Sequence, residues 1–195
     1  MQWVHRVDWG AQLARGRYKD IAAPVRYLFL HHSAGRDGGP DVVRGIQAFH
    51  KDTRGWSDIA YQALYSPRDR VFYAGRPFAV AGAHTRGYNQ QGHAVCVLGN
   101  YETDPLPPHA IDDLAEFADW HGGTWGPSTY TAHREVGETA CPGRNLYNVI
   151  GTINAIAAGL SAATPLGEPD DEPENLDALS YREWQELIAK GLGHD

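Results

Sequence analysis

Thr131-Ala-His-Arg-Glu-Val-Gly-Glu-Thr-Ala-Cys-Pro-Gly143 places His133 eight residues before Cys141 in a polar stretch. Imidazole nitrogen and thiolate sulfur are the donors a borderline-soft ion such as zinc prefers. A third donor of this kind stands in the apolar run Tyr27-Leu-Phe-Leu-His-His32, where His31 and His32 are neighbours. Successive side chains on a strand point to opposite faces, so only one of the two can share a metal with His133 and Cys141. The surrounding apolar pattern fits either parity. Three protein ligands leave a fourth position for water, the arrangement of a catalytic zinc site rather than a closed structural one. One Zn2+ per chain is the cofactor this pattern predicts.

The rest of the composition narrows the class. The chain has 195 residues, enough for one domain with a full hydrophobic core. No run of about eighteen apolar residues exists, so no membrane insertion is expected. The net charge of −7 is uneven: residues 1–161 hold 15 basic and 15 acidic residues, whereas 162–195 hold 2 and 9. A neutral body with no basic block gives no footing for nucleic acid, which needs a phosphate-neutralising patch. Cys96 lies in the apolar run Ala94-Val-Cys-Val-Leu98 and reads as a small buried hydrophobe. Both cysteines are expected as free thiols, Cys96 structural and Cys141 reactive or metal-bound.

The elements that must position these donors follow from periodicity. Residues 1–24 read as irregular. Residues 25–33 form a central strand, and Gly38-Gly-Pro-Asp41 opens a helix with Val42, Val43, Ile46 and Phe49 on one face. Residues 59–66 and 70–74 read as a hairpin across Ser66-Pro-Arg-Asp69, and 93–99 as another strand. A helix introduced by Pro107-Pro108 carries Ile111, Leu114, Ala115 and Ala118 inward and ends at His121-Gly-Gly123. A second spans 144–159, with Leu146, Val149, Ile150, Ile153 and Ile156 in phase. Strands interleaved with amphipathic helices predict an α/β fold: a single domain over 1–161 with a central mixed sheet flanked by helices. An acidic linker over 162–178 and a short amphipathic helix over 179–193, opened by the capping box Ser180-Tyr-Arg-Glu183, complete the expected organisation.

Several separated segments together resemble the zinc amidases shared by phage lysozymes of the amidase type and the peptidoglycan recognition proteins. They are Arg6-Val-Asp-Trp-Gly-Ala11, Leu30-His-His-Ser33, Ala48-Phe-His-Lys-Asp-Thr-Arg-Gly-Trp-Ser-Asp-Ile-Ala-Tyr61 and Val71-Phe-Tyr-Ala-Gly-Arg76. Gly82-Ala-His-Thr-Arg-Gly-Tyr-Asn89, Val97-Leu-Gly-Asn100 and His133-Arg-Glu-Val136 with Cys141-Pro-Gly143 continue the series in the same order. The resemblance covers roughly residues 3–160.

The resemblance implies an N-acetylmuramoyl-L-alanine amidase, which cuts between muramic acid and the first L-alanine of the peptidoglycan stem peptide. It implies His31, rather than His32, as the ligand beside His133 and Cys141. Non-catalytic members typically lack the cysteine ligand, so its presence favours an enzyme over a pure recognition module. Zinc in such a site lowers the pKa of its water to about 7 and polarises the scissile carbonyl. Tyr61 matches the family's catalytic tyrosine, whose phenol can hold the attacking water or donate to the oxyanion. Thr139 stands where some phage members carry lysine and recognition-protein amidases carry threonine, which leaves the acid for the leaving amine unassigned. His84 and Asn89 match groove-lining positions. Trp56, with Gly55, resembles a pair associated with stems carrying diaminopimelate, and Arg76 is a partner for that carboxylate. His50 reads as structural.

With no apolar signal region at its start, the chain is expected in a host cytoplasm, as a monomeric phage endolysin that reaches the wall through a separate holin-type protein. A bacterial wall-recycling amidase and a non-catalytic peptidoglycan-binding module are the alternatives.

Overall fold

Tyr27–His32, the run that carries the histidine pair, forms strand β2 inside a six-stranded sheet. The structure, a computed structural model, describes residues 1–22 and 24–163. In chain order its regular elements are β1 (Trp3–Val4), α1 (Arg6–Trp9), β2, α2 (Pro40–Ala48), β3 (Ala63–Ser66) and β4 (Val71–Ala74). They continue with β5 (Gly92–Val97), α3 (His109–Thr124), β6 (Tyr130–Ala132), α4 (Arg144–Tyr147) and α5 (Ile150–Ala163). Strand order across the sheet is β1-β4-β3-β5-β2-β6. Only the β3–β4 hairpin is antiparallel, so the sheet is mixed. Among the described residues no helix is long and apolar enough to cross a membrane.

Side-chain alternation divides the interior between the two faces of the sheet. Leu28 and Leu30 of β2 and Val95 and Val97 of β5 pack with Leu114, Phe117 and Ala118 of α3 and with Leu146 and Ile153 from α4 and α5. The opposite face carries Leu64, Cys96 and Leu98 against Trp9 of α1 and Val42 and Val43 of α2. β2 and β5 are parallel with His31 opposite Cys96, so both point to the α2 side. His32 points to the other side, where its Nδ1 accepts the Tyr101 N–H at 3.2 Å. Parity thus separates the two histidines, and His31 alone faces the site described below.

The structure differs from the sequence pattern at several places. Residues 1–24 are not wholly irregular: β1 adds an edge strand to β4, and α1 buries Trp9, whose indole N–H donates to the Ala74 carbonyl at 2.8 Å. Two strand residues and one helical turn are too short for periodicity to register. The buried stripe of α2 continues through Gln47, His50 and Lys51, while Phe49 is 47% exposed. Gln47 and Lys51 are buried because they hold the 12–13 segment: Gln47 Nε2 donates to Gln12 O at 2.9 Å, and Lys51 Nζ to Leu13 O at 2.6 Å. Residues 59–62 precede rather than belong to β3. The 144–159 helix is two helices, broken at Asn148–Val149. α5 runs to Ala163, past the expected boundary at 161. The remainder of the linker over 162–178 and the helix over 179–193 lie outside the described residues.

His50 has a structural role, and it carries a pH dependence. Its Nδ1 accepts the Ala60 N–H at 3.2 Å, which requires that nitrogen to be unprotonated. Burial, reinforced by Arg76 and Arg54, lowers its pKa from 6.5 to about 4. The unfolded chain therefore takes up this proton first, so the stabilisation is complete above pH 6.5 and drains away toward pH 4. In urea titrations between pH 7 and pH 5 the wild type should lose about 2 kcal/mol that the His50→Gln variant retains. Equal losses in the two proteins would remove His50 from this account.

Candidate metal centre and adjoining cavities

The three donors come together at the C-terminal edge of the parallel strands, the side where open α/β sheets place their ligands. His31 is near the end of β2, and His133 opens a 3₁₀ turn directly after β6. β6 pairs with β2 through Leu30↔Ala132, which sets the two histidines side by side. Their ring centroids are 4.7 Å apart. Cys141 returns on the following loop, fixed by the Arg134 N–H, which donates to its carbonyl at 3.0 Å. Its own N–H donates to Thr139 Oγ1 at 3.1 Å.

One nitrogen from each histidine and Cys141 Sγ all lie within 4.8 Å of one another, and among the described residues this is the one such cluster of three or more. Donors on a tetrahedral zinc at 2.0–2.3 Å stand about 3.3–3.8 Å apart. The 3.4 Å contact between His31 Nδ1 and Cys141 Sγ falls in that range. Burial holds His31 well below the ordinary histidine value and lowers His133 as well, so both rings are neutral and have a lone pair to offer. Burial pushes the Cys141 thiol up to about 11, so a bound cation would have to displace its proton. Geometry and donor chemistry both fit the metal.

Gly143 explains why Cys-Pro-Gly ends this loop. Its φ is +88°, and a Cβ there would lie 2.4 Å from the Tyr101 carbonyl carbon and 2.5 Å from the Glu102 nitrogen, both backbone atoms. Gly143→Ala should cost about 3 kcal/mol or more and loosen the Cys141 loop. A melting temperature within a degree of wild type would show that the loop tolerates a side chain.

Tyr61 stands two residues before β3, half-buried, with its ring centroid 5.2 Å from that of His31. Burial, with the nearby Cys96 and Cys141 thiols, holds its phenol well above 10, so it is a proton donor rather than a phenolate. The side chain packs against the cluster that contains the Cys96 thiol. Cys96 is therefore more than core filling, because it forms part of the floor under Tyr61. Thr139 is turned onto the Cys141 amide, so it shapes the ligand loop while keeping its own hydroxyl proton.

The remaining expected residues lie around Trp56, which borders two cavities. One, of about 460 Å³, is lined by Ser33, Ile46, Phe49, His50, Arg54 and Tyr61 and adjoins the metal centre. The other, of about 450 Å³, is lined by Arg17, Tyr18, Lys19, Arg76, Gly82 and Asn89, with no Asp or Glu in its wall. Arg76 is 6% exposed, and its guanidinium donates to the carbonyls of Ile59 at 2.6 Å, Ala81 at 3.0 Å and Asp58 at 3.3 Å. It braces the wall of this cavity. The exposed cations at the rim are Arg17 and Lys19, in a segment without sequence periodicity to draw attention to them.

His84 and Asn89 also serve the protein itself. Asn89 Oδ1 accepts the N–H groups of His84 at 2.8 Å and Thr85 at 2.9 Å, closing the loop between them. Both ring nitrogens of His84 have partners, Thr85 Oγ1 at 3.0 Å and the Gly92 carbonyl at 3.2 Å. Thr85, 1% exposed, in turn lies 3.3 Å from His31 Nε2. Thr85 carries no signal in the sequence, since only the folded loop brings it to β2.

Fold and site together define a mixed α/β protein with three clustered donors that could hold a metal ion beside a groove. Residues 21–144 match the family model described as N-acetylmuramoyl-L-alanine amidase, and the chain belongs to that family. It is 35% identical over 160 residues to the N-acetylmuramoyl-L-alanine amidase of Sus scrofa, covering 75% of this chain but only 26% of that protein. It is 33% identical over 157 residues to peptidoglycan-recognition protein SC2 of Drosophila simulans, covering 76% and 84%. Thus the chain spans about a quarter of the mammalian relative and most of the insect one. Among solved structures, peptidoglycan recognition protein-LE in complex with tracheal cytotoxin, a monomeric diaminopimelic acid-type peptidoglycan, superposes with a TM-score of 0.72. That match has 28% identity and covers 76% of this chain and 92% of the other.

Proposed function

We propose that this chain is a zinc-dependent N-acetylmuramoyl-L-alanine amidase that hydrolyses the bond between muramic acid and L-alanine in bacterial peptidoglycan. The observation that carries the proposal is the convergence of His31, His133 and Cys141 within 4.8 Å, beside the Tyr61 phenol and a groove. When bound, zinc supplies a Lewis acid that activates water and polarises the amide carbonyl. The residues of the chain do the rest. His31, His133 and Cys141 fix the position of the reacting centre. Tyr61 keeps its proton and donates it toward the oxygen on which negative charge grows. The cavity on the far side of Trp56, rimmed by Arg17 and Lys19 and free of carboxylates, suits the anionic stem peptide. A relative holding a diaminopimelic acid-type fragment supports the same substrate class.

Incubation with purified cell walls tests the activity. New N-terminal alanine should appear, with no new reducing sugars, and a chelator should stop its release. Reducing ends would mean a glycosidase, whereas wall binding without either product would make the protein a recognition module. The setting we propose is that of a monomeric phage endolysin, acting from the host cytoplasm after holin-type release. Cells producing it should lyse only when a membrane-hole protein is co-expressed.

A further inference from the structure

We infer that Thr85 and His84 form a hydrogen-bond relay that holds His31 as its Nε2–H tautomer, leaving the Nδ1 lone pair aimed at the metal position. The inference assigns positioning residues beyond the amidase reading and rests on that reading only for the identity of the three donors.

Each proton along this chain of contacts has one possible owner. The Gly92 carbonyl has no proton to give, so His84 Nε2, 3.2 Å away, carries the N–H. A neutral His84 then presents a bare Nδ1, which accepts the Thr85 hydroxyl proton across 3.0 Å. A threonine hydroxyl has one proton. With that proton directed at His84, Thr85 Oγ1 can only accept from His31 Nε2, 3.3 Å away. A neutral His31 protonated on Nε2 has its lone pair on Nδ1, the nitrogen that lies 3.4 Å from Cys141 Sγ. Both rings are buried, and their hydrogen-bond partners are a carbonyl, a hydroxyl and a thiol with no carboxylate among them, which favours the neutral form of each.

The relay is locked from both sides. Asn89 Oδ1 accepts the backbone N–H groups of both His84 and Thr85, so the two donors cannot drift independently. The His84 ring lies over Gly82, where a Cβ would come within 2.3 Å of Cδ2, so only glycine leaves it room. Neither His84 nor Thr85 is among the clustered donors, and both act through His31.

The test reads the tautomer and the metal separately. Ring-nitrogen NMR of the full chain in chelator should show His31 protonated at Nε2 in the wild type and a mixture of tautomers in Thr85→Val. Zinc affinity should fall about ten- to a hundredfold in Thr85→Val and return in Thr85→Ser. A wild-type His31 protonated at Nδ1 overturns the relay even if no variant folds. So does a folded Thr85→Val that keeps zinc affinity within twofold. Failure of the wild type to bind zinc at all would instead defeat the metal reading, and the NMR result would still decide the tautomer.

Discussion

Cys141→Ser is expected to cut hydrolysis of purified walls about a thousandfold or more while leaving wall binding within twofold. Serine preserves the shape of the loop and its backbone contacts, including the Cys141 N–H to Thr139 Oγ1 bond. It replaces a soft sulfur with an oxygen that stays protonated at working pH and is a poor zinc ligand. Two imidazoles alone hold the ion far less tightly, so metal content measured by mass spectrometry should fall together with turnover. The groove around Trp56 does not use the sulfur, which is why binding survives. Full turnover in Cys141→Ser would show that the ligand set is wrong. Loss of both turnover and wall binding would instead point to a loop that has come apart, and Gly143→Ala gives the comparison for that case.

What could be read in the sequence follows a physical line. The β3–β4 hairpin, β2, β5 and α3 are long or punctuated enough for alternation, helical phase and turn residues to show them. β1 has two residues and β6 three, and such pieces are strands only because a longer neighbour pairs with them. The buried side of α2 and of the helical turn that follows it, Phe49–Thr53, is polar at Gln47, His50 and Lys51, so an apolar template picks Phe49 instead. At the site, His133 and Cys141 could be read because they share one loop. His31 and His32 could be separated only by strand parity, which the register of β2 with β5 supplies. Thr85 and Cys96 were not legible as site residues, because each reaches His31 or Tyr61 only through tertiary contact.

Hydrogen bonding distinguishes the side chains that build the cavity wall from those left free to meet a ligand. Resemblance places Arg76, His84 and Asn89 in the groove. Their polar atoms are directed at protein carbonyls, amides and the Thr85 hydroxyl. Groups already engaged in this way give shape to a cavity, and breaking those bonds to meet a ligand would carry a desolvation cost. Arg17, Lys19 and Trp56 line the same cavity without such engagement to protein carbonyls, so selectivity for the stem should reside with them.

Tyr61→Phe should lower kcat about a hundredfold with little change in KM or metal content. The ring fills the same space against His31 and His50, so packing is preserved. What disappears is one hydroxyl proton, held on the phenol because burial and two neighbouring thiols keep its pKa well above 10. In the resting protein the neighbour beneath that side chain is the Cys96 thiol, a weak acceptor. Turning from a thiol to a developing oxyanion gains a stronger, charge-assisted bond only as the carbonyl is attacked. An interaction made in the transition state and not in the ground state changes kcat and leaves KM alone. If Tyr61→Phe raises KM while kcat stays constant, the phenol binds substrate rather than the oxyanion. If neither moves, Tyr61 is a packing residue, and the centre works through its three ligands alone.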